Sequence, residues 1–175
     1  MKKLLMLLIC MLSMLTIQAQ VDDTRYILNH DGLERTYELY VPDALSDEAV
    51  PLVVALHQFS SNARTMQLLT DLNALADEMG LIVVYPETTG FGWNNGTADL
   101  DRGYFGQDID NPDDIGFIQA LIAELVDSYP IDAEQVYVVG GGYGGLMASY
   151  LACQIPDELA GVMSVGATMR EYHED

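Results

Sequence analysis

Cysteine, lysine and basic charge in general are scarce in this sequence. The 175 residues include two cysteines, and seven basic residues stand against 27 acidic ones. Beyond residue 20 the chain keeps only Cys153, five arginines, no lysine and all 27 acidic residues, a net charge of −22. One cysteine cannot form an internal disulfide. So acidic a surface repels nucleic acid and anionic membranes, but it does not define a substrate.

The first nineteen residues have the pattern of a secretory signal peptide. Lys2 and Lys3 form a short basic start, an almost wholly apolar run covers residues 4–16, and Ala19 offers a small residue for cleavage. We therefore predict a signal peptide at 1–19, one domain over 20–175, and a secreted or periplasmic location. A retained N-terminal anchor is the alternative, although the apolar run is short for a membrane span.

Apolar runs alternate with helical patterns along the rest of the chain. Two strands at 24–28 and 34–41 flank Asp31-Gly32, which is a strong hairpin signal. Four continuous apolar runs predict strands buried on both faces, at 51–56, 81–85, 136–139 and 159–165. Helices are predicted at 62–79, from Pro112 to about Tyr129, and at 146–154. This order predicts an α/β fold with a mostly parallel sheet and an antiparallel hairpin at one edge.

Two predictions concern which helical side chains are buried. In the helix at 62–79 the apolar residues at helical spacing predict one continuous buried face, formed by Met66, Leu69, Leu72, Leu75, Ala76 and Met79. Cys153 lies in an apolar helical pattern, so we predict a buried structural thiol rather than a nucleophile.

A glycine-rich turn follows the strand at 136–139, where an open α/β sheet places its chemistry. Gly140, Gly142 and Gly144 occupy the first, third and fifth positions of the nucleophile elbow G-x-S-x-G, so glycine stands where the serine nucleophile belongs. Gly140, Gly142 and Gly145 also match the dinucleotide fingerprint G-x-G-x-x-G, but no acidic residue ends the next strand. A turn that only packs a helix on a strand is the third alternative.

With these residues the chain resembles the secreted feruloyl-esterase and polyhydroxybutyrate-depolymerase-like esterases of the α/β-hydrolase superfamily. The matching stretches lie in order between residues 35 and 167. They are 35–42, 51–57, 76–86, Trp93-Asn94, 113–118, 131–132, 136–138, and the glycine-rich turn with Met147, Ala148 and 151–153. The resemblance implies a three-layer α/β-hydrolase sandwich, hydrolysis of esters of the plant-wall or polyester type outside the cell, and no cofactor or metal.

The resemblance also assigns site positions. The family's serine falls on Gly142, and the backbone N–H groups of Gln58 and Tyr143 fall on the oxyanion-hole donors. The family has His-Gly where this chain has His57-Gln58. His57 itself is expected to be structural rather than catalytic.

The family's acid and histidine follow later strands, and only 33 residues follow Gly142. Asp157 and His173 are in the right order but are expected to be ordinary exposed residues. The resemblance therefore predicts a sheet without its last strands, and an open apolar edge that is a candidate for self-association.

A long loop at 87–111 is rich in glycine, asparagine and aspartate, and a loop of this length is usually functional or mobile. Trp93 and Asn94 are candidates for substrate contact, and Trp93, Tyr104 and Phe105 either stack on a ligand ring or pack the loop down. Six aspartates in this loop and at the start of the following helix make a calcium site conceivable, but a solvated loop is the preferred interpretation. They are Asp99, Asp101, Asp108, Asp110, Asp113 and Asp114.

Two functions remain open. One is an exported carboxylic-ester hydrolase that is expected to be inactive as written, because position 142 has no nucleophile and the acid and histidine of the triad are absent. The other is a non-catalytic protein that binds a carbohydrate or an ester, or acts as a partner subunit.

Overall fold

The computed structural model describes residues 25–45, 48–96 and 112–167. These residues form a six-stranded sheet in the order β1-β2-β4-β3-β5-β6. The first two strands are antiparallel to each other, β2 is antiparallel to β4, and β4, β3, β5 and β6 run parallel. The predicted α/β class is confirmed. The strands are β1 (Arg25–His30), β2 (Leu33–Tyr40), β3 (Val50–Leu56), β4 (Ile82–Pro86), β5 (Ile131–Gly141) and β6 (Gly161–Val165).

The opening hairpin has the two-residue turn that its sequence predicts. His30 pairs with Leu33, so Asp31 and Gly32 alone form the connection. Both have positive φ, 49° and 76°, as a type I′ turn requires. The hairpin places β2 beside β4 and thereby closes that side of the parallel sheet.

Four α-helices within the described residues complete three layers: α1 (Ala63–Thr70), α2 (Leu72–Met79), α3 (Asp114–Ser128) and α4 (Tyr143–Gln154). Helices α1 and α2 pack on one face of the sheet through Ala63, Met66 and Ala76, against the Val83 side of the strands. Helices α3 and α4 pack on the other face, where a larger core joins both helices to the strands. Its central members are Leu52, Val54, Leu56, Val84, Phe117, Leu121, Leu125, Met147 and Leu151.

The prediction of one helix over 62–79 with one buried face was wrong. Asp71 adopts the left-handed conformation, with φ 52° and ψ 26°, and separates α1 from α2. The helical phase does not continue through such a residue, so the faces before and after it point in different directions. Within α1 Met66 is buried and Leu69 is 70% exposed, and within α2 Ala76 is fully buried and Met79 is 65% exposed.

Cys153 is exposed, so the prediction of a buried thiol was also wrong. Helix α4 turns Met147, Ala148 and Leu151 toward the core. Cys153 follows Leu151 by two residues, about 200° around the helix axis, and therefore lies on the opposite side. The sequence of α4 did not reveal which side of the helix is exposed, because small or apolar residues occur on all of its sides.

None of the helices in the described parts of the chain is long and apolar enough to cross a membrane.

Candidate functional site

The loops that follow β3 and β4 meet the turn between β5 and α4 at one end of the sheet. This is the carboxyl end of the parallel strands, the usual place for ligands in open α/β sheets. Gln58 comes from the loop after β3, Glu87 and Trp93 come from the loop after β4, and Gly142 lies in the turn after β5.

Gly142 alone connects the last residue of β5 to the first residue of α4. Its φ of 52° and ψ of −117° place it in a conformation that costs other residues free energy. The N–H of Gly142 donates to the carbonyl oxygen of Val165 at 2.8 Å, and its own carbonyl accepts from the N–H of Leu146 at 3.0 Å. The turn is therefore both sharp and tied to β6 and α4.

The two flanking glycines of the motif are required by close backbone approach. A Cβ on Gly140 would overlap the carbonyl group of Gly144, and a Cβ on Gly144 would overlap the carbonyl oxygens of Leu56 and His57. A Cβ on Gly142, by contrast, would have no neighbour closer than 3.7 Å. The site thus has room for a side chain at the third position and for none at the first and fifth.

Gln58 packs against this turn, and Tyr143 follows Gly142 directly in the chain. Gln58 is exposed and Tyr143, the first residue of α4, is half-buried. The carbonyl oxygen of Gln58 accepts from the N–H of Ser61 at 3.2 Å, which makes the loop after β3 a tight turn. The role of the two backbone N–H groups as oxyanion donors stays a prediction.

His57 is fully buried beside Gln58. Its Nδ1 lies 2.8 Å from the carbonyl oxygen of Gln58, and because a carbonyl oxygen only accepts, Nδ1 carries a proton. Its Nε2 lies 3.4 Å from Oε2 of Glu87, and Oε1 of Glu87 accepts from the N–H of Ala63 at 3.0 Å. The pair joins the loops after β3 and β4 to the start of α1, which agrees with the structural role expected for His57. The sequence analysis did not single out Glu87.

Trp93 is fully buried, and its indole N–H donates to the carbonyl oxygen of His57 at 3.0 Å. Its ring centroid is 5.2 Å from that of His57. Of the two alternatives for this aromatic residue, the geometry favours packing of the loop. Asn94 also holds the loop, because its side-chain amide donates to the carbonyl oxygen of Pro112 at 2.8 Å. Direct contact of either residue with a substrate stays a prediction.

A buried ion pair also holds the loop after β4. Nη2 of Arg35 donates to Oδ1 of Asp114 at 2.6 Å, and Oδ2 of Asp114 accepts from the N–H of Asn94 at 2.7 Å. The guanidinium also lies 3.9 Å from the ring centroid of Phe117. Burial raises the pKa of Asp114, and the positive charge of Arg35 opposes that rise. The sequence signalled the burial of Arg35, which shares a strand face with Tyr37 and Leu39, but not its partner Asp114.

The acidic cluster is only partly within the described residues. Asp113 caps α3 by accepting from the N–H of Gly116 at 2.9 Å. That hydrogen bond, with the nearby His30, lowers the pKa of Asp113. Asp114 is already bound to Arg35, and the described residues contain no group of three or more potential metal ligands. Asp99, Asp101, Tyr104, Phe105, Asp108 and Asp110 lie outside the described residues.

Asp157 lies in a short 3₁₀ helix, Pro156–Glu158, that precedes β6. It is exposed and stands at the amino end of that strand, away from the glycine turn, as the sequence analysis expected. His173 lies outside the described residues.

Three aromatic rings flank the turn, and sequence reasoning did not bring them together. The rings of Phe59 and Tyr143 are 5.1 Å apart between centroids, and those of Phe59 and Phe91 are 6.2 Å apart. Gly92 lies between them, because a Cβ there would be 3.1 Å from Phe59 and 3.2 Å from Tyr143. Phe91 is 48% exposed, so the cluster offers an apolar surface to solvent beside Gly142.

Solved structures of esterases share this arrangement of strands and helices. An acetyl xylan esterase from Aspergillus awamori superposes with a TM-score of 0.62 and 20% identity, over 81% of this chain and 53% of that one. A thermostable esterase superposes with a TM-score of 0.64 and 21% identity, over 81% and 40%. The fold is therefore that of the α/β-hydrolases.

Sequence comparison gives the family. The sequence model of the esterase PHB depolymerase family matches residues 35–174, and the chain belongs to that family. NocK of Nocardia uniformis subsp. tsuyamanensis, itself a proposed esterase, is 34% identical over 79% of this chain. Feruloyl esterase B of Neurospora crassa is 33% identical over 67% of it. The chain spans 39% of the length of each of these two relatives.

Proposed function

We propose that this chain carries the nucleophile elbow and one side of the substrate site of a carboxylic-ester hydrolase, and that it is inactive because glycine occupies the nucleophile position. The backbone of Gly142 carries this proposal. Its φ of 52° and ψ of −117°, between a strand and a helix, describe a sharp turn that holds residue 142 at the carboxyl end of the sheet. A serine in that place would present its hydroxyl to an ester, whereas glycine has no oxygen to present.

The surroundings supply other parts of such a site. Tyr143 begins a twelve-residue helix, so its N–H lies at the positive end of the helix dipole. Gln58 brings a second backbone N–H from the loop after β3. Two donors aimed at one point stabilise the negative oxygen that forms when an ester carbonyl is attacked. The hydrogen bond from Nδ1 of His57 to the carbonyl oxygen of Gln58 holds the loop after β3 without requiring His57 to react.

The test is hydrolysis of an aryl ester such as p-nitrophenyl acetate by three matched proteins. These are the unmodified chain, Gly142→Ser, and Gly142→Ala, which adds a Cβ and the same backbone strain without an oxygen. The space around Gly142 accepts both side chains, since the nearest atom to a Cβ is 3.7 Å away. We expect turnover above the buffer rate only from Gly142→Ser, together with covalent labelling of that variant by a fluorophosphonate.

Each other outcome would change the proposal. Turnover by the unmodified chain would show that another residue is the nucleophile. Equal turnover by the serine and alanine variants would show that the hydroxyl at position 142 is not involved. Absence of turnover and labelling in all three would show that a serine at position 142 is not activated in this chain and would favour binding without catalysis.

A second candidate is binding of an ester or carbohydrate without catalysis, and the exposed aromatic cluster favours it. Phe59, Phe91 and Tyr143 form an apolar surface next to position 142. Related proteins are named feruloyl esterase B and acetylxylan esterase A, so aromatic acyl esters and xylan fragments are the ligands to test.

Methyl ferulate and xylotetraose should be titrated by calorimetry into the unmodified chain, with Phe91→Ala as the variant and Leu69→Ala as an exposed control on α1. We expect Phe91→Ala to weaken binding by roughly fivefold, since an aromatic contact is worth about 1 kcal/mol. Equal affinity in the variant and the control would exclude the aromatic cluster as the binding surface.

We also propose that the protein is exported, because residues 1–19 have the charge and apolar pattern of a signal peptide. The N-terminal sequence of protein recovered from outside the cytoplasm should begin at or near Gln20. Recovery of the full-length chain in the cytoplasm alone would contradict export.

A further inference from the structure

We propose that the side chain of Gln58 is a gate over position 142 and decides which groups reach it. This inference rests on the proposed function, because only an elbow site makes access to position 142 important.

The geometry places the side chain of Gln58 across the turn. A Cβ on Gly141 would lie 3.4 Å from both Cγ and Nε2 of Gln58. A Cβ on Gly142 would lie 3.7 Å from Cγ, 3.9 Å from Cβ and 4.0 Å from Oε1 of Gln58. The side chain therefore covers two successive residues of the turn at van der Waals distance, and its carboxamide stands at position 142.

This placement has a chemical consequence for any side chain at position 142. An oxygen or sulfur one bond beyond the Cβ stands next to the Gln58 carboxamide, which has one acceptor oxygen and two N–H donors. A hydrogen bond between them competes with an incoming carbonyl group for the same space. Because Gln58 is exposed, its side chain can turn outward into water and uncover the position. Gln58 is thus a specificity-determining residue: small reagents pass it more easily than bulky acyl groups.

Thiol alkylation tests the gate without any catalysis. Gly142→Cys is made in a chain in which Cys10 and Cys153 are replaced by serine, with Gln58 retained or changed to alanine. The rate of alkylation by iodoacetamide is followed by mass spectrometry, and N-ethylmaleimide serves as a bulkier reagent. We expect Gln58→Ala to raise the iodoacetamide rate roughly fivefold, the factor that one ordinary hydrogen bond is worth, and to raise the maleimide rate more.

The control is the exposed thiol of Cys153 in a chain that keeps Gly142. Gln58→Ala should leave its alkylation rate unchanged, because Cys153 lies on the outer side of α4. If Gly142→Cys does not fold, Gly141→Cys replaces it, since a Cβ at Gly141 makes only ordinary contacts and these are with Gln58. Equal rates with and without the Gln58 side chain, for both reagents, would overturn the gate.

The outcome is distinguishable from failure of the proposed function. A faster alkylation rate in Gln58→Ala, with no turnover by Gly142→Ser, would support the gate and contradict the hydrolase elbow. Turnover by Gly142→Ser that is unchanged by Gln58→Ala, for both acetyl and feruloyl esters, would leave the elbow in place and overturn the gate.

Discussion

Strands β4 and β6 have apolar sequences of the same kind and opposite surroundings. All five residues of β4 are buried, whereas none of the five residues of β6 is. Strand β4 lies between β2 and β3 and has packed helices on both faces. Strand β6 pairs with β5 only, and among the described residues α4 covers just one of its faces. An apolar run therefore predicts a strand, but its neighbours decide whether that strand is buried.

The two edges of the sheet also differ in the buried charge that they hold. The β2–β4 side encloses the Arg35–Asp114 pair, in which both side chains are 1% exposed or less. The β6 side carries Met163 at 61% and Val165 at 57% exposure, on the face that α1 and α2 do not reach. We therefore expect stability to be concentrated on the β2–β4 side of the sheet.

The largest effect is expected from breaking the buried ion pair. Arg35→Met leaves the Asp114 carboxylate without its cation, and removal of one partner of such a pair costs about 3–5 kcal/mol. Urea unfolding followed by far-UV circular dichroism measures this cost. The double variant Arg35→Met, Asp114→Asn should recover part of the loss, since asparagine keeps an acceptor for the N–H of Asn94.

Arg25→Gln is the matched control, because Arg25 is 58% exposed and lies 3.8 Å from Glu87. Its cost should stay below about 1 kcal/mol, as for other surface pairs. Similar costs for Arg35→Met and Arg25→Gln would mean that the buried pair contributes no more than a surface one.

The next effect comes from truncating one side chain in each strand. Ile82→Ala in β4 removes a fully buried side chain and should cost about 2–4 kcal/mol. Met163→Ala in β6 removes a side chain that is 61% exposed and should cost less than about 0.5 kcal/mol. Both are measured from urea midpoints at constant slope. A cost for Met163→Ala close to that of Ile82→Ala would indicate that β6 is covered in solution.

A smaller, pH-dependent effect is expected at the N-cap of α3. Folding lowers the pKa of Asp113, mainly through the hydrogen bond from Gly116. Its contribution is therefore complete above the unfolded value of about 4 and is lost as the pH falls through the lower folded value. Asp113→Asn keeps the acceptor oxygen and removes the charge, so it should lower the free energy of unfolding at pH 7. The loss should be only about 0.5 kcal/mol, because water screens a half-exposed carboxylate.

The free energies of unfolding of Asp113→Asn and the unmodified chain should converge by about pH 2. A difference that stays constant from pH 7 to pH 2 would show that the charge of Asp113 has no part in the effect.

The smallest effect on stability is expected from Met163→Lys, which tests self-association through the β6 edge. A lysine on an exposed edge strand discourages pairing with another chain at little cost to the fold. Sedimentation velocity should show that the unmodified chain forms concentration-dependent dimers and that Met163→Lys reduces them. A monomer at all concentrations for the unmodified chain would contradict self-association.

Much of this fold could be predicted from short segments. The Asp31-Gly32 turn, the apolar stripe of Phe117, Leu121 and Leu125, and the four apolar strand patterns each depend on residues a few positions apart. The prediction that the strand at 159–165 is buried on both faces was wrong, because none of the five residues of β6 is buried. The glycine turn was also predictable, because its motif lies within a few residues and Gly140 is required by its close approach to Gly144 in the same turn. Asp71 was not, since a left-handed residue inside a helical pattern leaves little trace in the sequence.

Long-range contacts account for what the sequence did not reveal. Arg35 and Asp114 are 79 positions apart, and His57 and Glu87 are 30 apart, so only the folded sheet brings them together. The same is true of Phe59, Phe91 and Tyr143, which come from the loop after β3, the loop after β4 and the first turn of α4.

The sequence by itself determined the α/β order of elements, the family, and the absence of a side-chain nucleophile at position 142. These are local properties, set by spacing and residue identity. The tertiary structure alone decided that β4 is buried and β6 exposed, that Trp93 packs the loop down, and that Gln58 covers the turn. Burial and access depend on which surfaces meet in space, and the hydrophobic free energy of each side chain follows from the area that its neighbours remove from water.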